Sequence, residues 1–261
     1  SFVGQRLRNL LSSKILKGVK RILIDVGNTR TKLVFADDVR LIERRQLSTD
    51  EISRESILEV IGDWASRADQ VVVCSVVPSR TTALQEVFGE DLLIVSFRVP
   101  LGIGIDYPEP ETIGADRLAN AAALARLHGQ PGIVVDFGTA VTFDVLSVEG
   151  NYCGGVIAPG VEMMSDYMSE RTALLPRVEL IKDPPPFGRS TEEAMQAGAY
   201  YGYAGMVRRI LDELLATFDQ PDEATIVATG GAGELFYDAL GVKLYEPDLT
   251  LHGLRFIAEL Q

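Results

Sequence analysis

Two stretches of this chain share one unusual pattern, ILIDVGNTRTKLVF at 22–35 and IVVDFGTAVTFDVL at 133–146. In each, a run of β-branched and aliphatic residues ends in an acid, Asp25 or Asp136. A glycine follows two residues later, then a second alternating strand. A strand that delivers a carboxylate into a glycine turn suits a metal–phosphate group. The missing Cβ lets backbone N–H groups approach phosphate oxygens, and the carboxylate faces the accompanying cation. Two copies 111 residues apart point to related halves that close over one nucleotide.

The order of elements repeats as well. After the first signature strand, 30–36 and 39–46 read as strands, 50–66 as a helix and 70–77 as a buried strand. A helix opened by Ser79 over 79–88, a strand at 92–96 and an Ala-rich helix over 114–128 ending at Gly129 complete the first half. The second half reads as strands at 132–136, 140–147 and 151–158, then helices over 160–170 and 189–219. A strand at 225–231 enters a glycine turn, followed by a helix over 232–240, a strand at 242–245 and a helix over 249–260. Strands joined by short turns pair antiparallel, and those linked through helices pair parallel. The pattern predicts an α/β chain of two mixed-sheet domains, 20–129 and 130–261, with a cleft between them.

Composition narrows the function. A net charge of −12 argues against a nucleic-acid surface, which needs a basic stripe. No apolar run is long enough to span a bilayer. Cys74 and Cys153 sit in apolar, strand-like contexts without ligand spacing, and are expected to be reduced core residues of a cytoplasmic protein. Residues 1–24 carry Arg6, Arg8, Lys14, Lys17, Lys20 and Arg21 and none of the 37 acids, with Leu7, Leu10, Leu11 and Ile15 at helical spacing. That stretch reads either as a targeting or membrane-surface segment or as a frayed extension over 1–19; the latter is the expectation taken here.

Three strings, Asp25-Val26-Gly27-Asn28-Thr29, Gly114-Ala115-Asp116-Arg117 and Asp136-Phe137-Gly138-Thr139-Ala140, together resemble type III pantothenate kinase. That family belongs to the actin-like superfamily of acetate kinases, sugar kinases and heat-shock ATPases. The resemblance runs from about residue 20 to the C-terminus and takes in Gly154-Gly155, Pro159-Gly160, the TALLP run at 172–176 and the STEEA run at 190–194. It departs at the basic extension, which lies ahead of where such enzymes begin. The resemblance implies a duplicated RNase H-like fold with an interdomain nucleotide cleft. It also implies transfer of the ATP γ-phosphate to the hydroxyl of pantothenate, the first step toward coenzyme A. A need for Mg²⁺, a monovalent cation (K⁺ or NH₄⁺) and a homodimer comes with it.

The resemblance also assigns roles. Asp25 would orient Mg²⁺, through coordinated water, and Val26, Gly27, Asn28, Thr29, Arg30, Thr31, Lys32 and Thr139 would surround the ATP phosphates. Asp116 would be the base toward the pantothenate hydroxyl. Tyr107, Gly114, Ala115 and Arg117 would contact pantothenate, and Thr191 would reach the partner subunit's site. Asp136 would bind the monovalent cation, and Gly230-Gly231 would face adenosine.

Each residue has a plainer reading. Gly-Asn is ordinary hairpin chemistry. Asp116 complements a helix dipole, and Arg117 could pair with Asp106 or Glu111. Tyr107 could pack on prolines, Ser190 or Thr191 could be a helix N-cap, and Gly230 could serve a positive φ. Glu192, Glu193, Asp212 and Glu213 read as solvated helix faces, and His128 and His252 fit no pattern. A kinase or phosphatase of another small metabolite, or a non-catalytic nucleotide-binding regulator, remains an alternative, although Asp25, Asp116, Arg117 and Asp136 are all present.

Overall fold

The computed structural model describes residues 18–261; the basic stretch over 1–17 lies outside them. The first sheet comprises β1 (Arg21–Val26), β2 (Arg30–Ala36), β3 (Leu41–Ser48), β4 (Gln70–Ser75) and β5 (Leu92–Ile94), in the order β3-β2-β1-β4-β5. β1 pairs antiparallel with β2 and β2 with β3, whereas β1, β4 and β5 run parallel. The helices between these strands are α1 (Arg54–Ile61), α2 (Trp64–Arg67) and α3 (Pro78–Phe88).

A short β6 (Gly104–Ile105) and α4 (Ala115–His128) lead to the second sheet, built from β7 (Gly132–Phe137), β8 (Ala140–Leu146) and β9 (Asn151–Pro159). Two helices, α5 (Val161–Arg171) and α6 (Thr191–Leu215), precede β10 (Thr225–Thr229), and α7 (Gly233–Phe236) precedes β11 (Leu244–Tyr245). The chain closes with α8 (Leu249–Ala258). The order β11-β10-β7-β8-β9-β6 repeats the first sheet's topology and adds β6, parallel to β9, at one edge. This is the duplicated α/β arrangement of mixed sheets.

Burial explains the strand patterns. β1 and β7 are central, covered on both faces, and read as continuous apolar runs. β3 lies on the edge and exposes Arg44 and Gln46, which discourages pairing with another chain, while Glu43 and Arg45 turn to Trp64 on the other face. One face of the first sheet packs Ile24, Phe35 and Val73 against Ile57, Ile61, Trp64 and Leu84. The opposite face packs Leu23, Val34 and Val72 against α4 (Leu118, Ala122) and α8 (Leu251, Leu254). α4 also meets the second sheet, through Ala121, Ala123 and Leu124 against Val134, Leu146 and Val227. It is therefore buried all round from Leu118 to Leu124, which accounts for its alanines. α8 crosses α4 so closely that a Cβ on Gly253 would stand 1.9 Å from the Ala119 carbonyl oxygen.

Several boundaries differ from those expected. The helix expected over 50–66 is broken in two, because Gly62 adopts φ 50° and caps α1. The helix expected to open at Ser79 opens at Pro78, whose missing N–H costs nothing in a first turn. The helix expected over 232–240 forms regular structure only over Gly233–Phe236. Cys74 is buried, as expected, but Cys153 is exposed: it falls on the outward face of β9, where burial alternates. Among the described residues no helix is long and apolar enough to cross a membrane.

The α4–α8 crossing depends on Gly253. Replacing it with alanine should destabilise the protein by roughly 1–3 kcal/mol, the usual range for overpacking. A drop in Tm measures this; an unchanged melting curve would show that the helices can part without loss.

Candidate active site

The C-terminal ends of β1 and β7 and the N-terminus of α4 bring three acids to the cleft between the sheets. Asp25 ends β1 and pairs across the ladder with Lys32 on β2 and Cys74 on β4. The Cys74 thiol donates to its Oδ1 at 3.3 Å. Asp136 ends β7, and its Oδ2 accepts from the Asn120 amide at 3.0 Å; Thr250 on α8 in turn donates to Asn120 Oδ1 at 2.8 Å. Asp116 lies in the first turn of α4, where its Oδ1 accepts the Arg117 N–H at 2.8 Å. A Cβ at Gly114 would press on that same oxygen at 2.5 Å, so only glycine leaves the carboxylate its place.

The carboxylates share one field. Burial raises the pKa of Asp25, and Asp116 adds to the rise while Lys32 and the Cys74 hydrogen bond oppose it. Burial also raises Asp116. Asp136 is pushed up to about 6, first by burial and then by Asp116 and Asp25, against the Asn120 hydrogen bond and Lys32. Such a cluster is short of positive charge, and a ligand that carries cations would relieve it. Among the described residues no three acid, histidine or cysteine side chains converge closely enough to form a ready cage for an ion. Oxygen donors without a closed cage suit Mg²⁺, which keeps its waters and arrives on phosphates, and Asp25 fits that description, while Asp136 offers oxygen to a second cation.

The two glycine turns meet across the cleft. Gly27 N–H bonds the Arg30 carbonyl and Gly138 N–H the Ala140 carbonyl, both at 3.1 Å. The hydroxyls of Thr29 and Thr139, which are 110 residues apart, lie 3.4 Å from each other. Thr49, not anticipated from the sequence, braces the first turn by donating to the Gly27 carbonyl at 2.8 Å and by meeting Thr31 at 2.9 Å. Asn28, Thr29 and Arg30 are exposed, whereas Val26 and Thr31 are buried and hold the turn from beneath. Gly230, with φ 85°, backs onto Asp136, where a Cβ would come within 2.5 Å of Oδ1. Two hollows open from this junction. One of about 550 Å³ runs from Arg30 past Gly231, Ala232 and Leu235 to Ser165 and Arg177. The other, of about 360 Å³, lies between Lys32 and Arg44 on one side and Tyr245 and Leu251 on the other.

At the opposite edge of the acid cluster stand Tyr107, Arg117 and the glycines of β9. Tyr107 packs edge-on against Tyr152, with ring centroids 6.1 Å apart, and lies over Gly154. Arg117 pairs with neither Asp106 nor Glu111, the partners considered from the sequence. Because α4 packs on β8, its first turn meets the inward-facing Asp144, and Arg117 Nε donates to Asp144 Oδ1 at 2.6 Å. Ala115 is half-buried beside Asp116. Thr191 is exposed at the start of α6, whose N-cap Ser190 accepts the Glu193 N–H at 3.2 Å. No hydrogen bond links Thr191 to the acid cluster of its own chain among the described residues. Glu192 and Glu193 are exposed, and Asp212 and Glu213 pair with Arg208 and Arg209 along the helix surface, as solvated faces do.

Asp144, Asn120, Thr250 and Thr49 went unnoticed in the sequence. Only Asp144 left a signal there, as an acid inside an otherwise apolar strand.

The sequence pattern of type III pantothenate kinase matches residues 21–213. A type III pantothenate kinase from Akkermansia muciniphila is 46% identical over 243 residues, covering 92% of this chain and 98% of the relative. One from Methylacidiphilum infernorum is 40% identical over 242 residues, covering 92% and 88%. Among solved structures, the ethanolamine utilization protein EutJ from Carboxydothermus hydrogenoformans matches with a TM-score of 0.56 at 15% identity, covering 94% of this chain and 91% of that one. A ROK family transcriptional regulator, a homolog of the E. coli MLC protein, matches at 0.54 and 10% identity, covering 93% and 78%. These distant structures share the fold, and the close relatives share the family: the chain belongs to the type III pantothenate kinases.

Proposed function

We propose that this protein transfers the γ-phosphate of ATP to the hydroxyl of pantothenate, giving 4′-phosphopantothenate at the start of coenzyme A synthesis. The observation that carries the reading is the meeting of the two carboxylate-bearing turns at Thr29 and Thr139, with the N-terminus of α4 presenting Asp116 beside them. The phosphates lie against the backbone of Gly27 to Thr31 and against Gly138-Thr139, with Lys32 as the compensating charge. The nucleoside extends into the 550 Å³ hollow past Gly231, whose lack of a side chain leaves the passage open.

Asp25 would hold Mg²⁺, and Asp136, which Asn120 and Thr250 orient, would hold a monovalent cation. When bound, these cations neutralise phosphate charge. Pantothenate occupies the opposite edge, between Tyr107, Arg117 and Gly154. Asp116 orients its hydroxyl toward the phosphate. Phosphoryl transfer rests on positioning and charge stabilisation, so the carboxylate accepts the proton late. Its raised pKa brings it closer to the task than an ordinary aspartate.

A homodimer is supported by apolar side chains left exposed on and after α5, namely Met163, Met164, Tyr167, Met168, Leu174 and Phe187. Thr191 of each subunit then serves the other's pantothenate site. Work in the cytoplasm fits the two free cysteines.

A coupled ADP assay with pantothenate, ATP and Mg²⁺, with and without K⁺, tests the reading directly. Asp116→Asn should abolish turnover while ATP still binds by calorimetry. Retained turnover would remove Asp116 from the mechanism. Asp136→Ala, and more mildly Asn120→Ala, should blunt the response to K⁺; a wild-type potassium titration in both would dismiss that assignment. Thr191→Ala should raise KM for pantothenate, and mixing it with Asp116→Asn should partly restore activity. Failure of the mixture to recover would place Thr191 outside a shared site.

Proton release gives a further check. Asp136 titrates at about 6 in the folded chain against 3.8 in the unfolded one, so the folded state holds the extra proton between those values. That group's stabilisation is full below 3.8 and declines as the pH rises toward 6. Binding of Mg²⁺–ATP favours the ionised form. At pH 6 it should release roughly half a proton from this group, falling toward zero at pH 8. Calorimetry in buffers of different ionisation heat measures the release, and equal values at the two pH values would contradict the cluster's electrostatics.

A further inference from the structure

The feature left over from this mechanism is a buried acid behind the pantothenate side. Asp144 is 1% exposed in the middle of β8. Its Oδ1 accepts Arg117 Nε at 2.6 Å and the Tyr152 hydroxyl at 3.1 Å, while Oδ2 has no partner among the described residues. Arg117 in turn gives Nη2 to the Phe143 carbonyl at 3.4 Å, and its Nη1 has no acceptor among the described residues. Gly155 makes room for this arrangement: a Cβ there would stand 2.8 Å from Arg117 Nη2 and collide with the Phe143 carbonyl. The Tyr152 ring centroid lies 5.7 Å from the guanidinium carbon.

A carboxylate that takes a guanidinium end-on engages both terminal nitrogens and aligns their remaining N–H groups to the sides. Asp144 takes it from the Nε side, which fixes the plane of the group and leaves terminal N–H donors for something else. A buried acid without such a cation would be neutral or strongly destabilising. Burial indeed pushes Asp144 up to about 7, and Arg117 is the main force opposing that rise.

We propose that Asp144, locked by Tyr152, is a positioning residue that holds Arg117 side-on so that its terminal N–H groups select the polar and carboxylate groups of the acceptor alcohol. The inference rests on the reading of Arg117 as a substrate contact. Lysine cannot replace Arg117 in this role, because it has no side-on N–H to anchor while presenting further donors.

Steady-state kinetics on the full-length protein tests the proposal. Asp144→Asn keeps an acceptor for Nε and removes the charge. It should raise KM for pantothenate about tenfold to a hundredfold, the range for losing a charged hydrogen bond, with KM for ATP unchanged and kcat altered much less. Tyr152→Phe should raise the same KM by a smaller factor, and Arg117→Lys should behave like Arg117→Ala. Added guanidinium ion should partly rescue Arg117→Ala but not the double variant Arg117→Ala with Asp144→Asn, because the counter-charge that would hold the ion is gone. A raised pantothenate KM in Arg117→Ala with normal values in both Asp144→Asn and Tyr152→Phe would overturn the positioning role. Equal rescue of the single and double variants would overturn it too. An unchanged pantothenate KM in Arg117→Ala would instead sink the underlying assignment of Arg117. Should Asp144→Asn fail to fold, Tyr152→Phe and the rescue of Arg117→Ala against Arg117→Ala with Tyr152→Phe decide the matter in the same way.

Discussion

The site depends on where α4 is held. From Leu118 to Leu124 this helix is buried on every side, pressed between the two sheets by Leu118 and Ala122 toward the first and by Ala121, Ala123 and Leu124 toward the second. Its alanines permit that double contact, since larger side chains would force the sheets apart. α8 locks the arrangement from behind, with Gly253 against Ala119 and Thr250 bonded to Asn120. The first turn of α4 is thereby fixed where β1 and β7 end. Asp116 meets Asp25 and Asp136 there because the packing leaves that turn no other place.

That packing concentrates negative charge in a partly dehydrated cleft, an arrangement that costs stability unless a ligand offsets it. All three acids are raised above their ordinary pKa values, and Lys32 is the cation opposing the rise at both Asp25 and Asp136. A fold selected for stability alone has no reason to assemble such a cluster on three separate elements. A nucleotide that brings its own cations gives one. The hydrogen bonds from Cys74 and Asn120 fix the directions of two of the carboxylates, so the site is oriented before anything binds.

Much of this was legible in the chain because it is written locally. The acid–glycine turns, the alternating hairpin strands and the Ala-rich helix each follow from short patterns. Asn120 and Thr250 were not legible, because their roles arise only when α8 crosses back onto α4, 130 positions away in sequence. The break at Gly62 was missed because a glycine inside an apolar helical pattern can be tolerated; its φ of 50° is decided by the turn that carries Trp64 inward. Cys153 was misplaced because a cysteine reads as apolar, while its face of β9 looks outward.

The duplicated hairpins also show how one half came to hold the acceptor. Laid in step, the two motifs match Asp144 with Leu33. The ladders say otherwise: Asp25 pairs with Lys32, seven residues on, whereas Asp136 pairs with Thr142, six residues on. The second turn is one residue tighter, and the true counterpart of Asp144 is Val34. Both positions face inward from the second strand of a hairpin. Val34 packs on the apolar surface that α4 and α8 present to the first sheet, whereas Asp144 meets the first turn of α4 at Arg117. An apolar residue in one copy and an acid in the other is what separates a purely structural contact from one that aims a guanidinium. A one-residue difference in turn length hides that correspondence from any reading of the repeat as a string, and only the strand register recovers it.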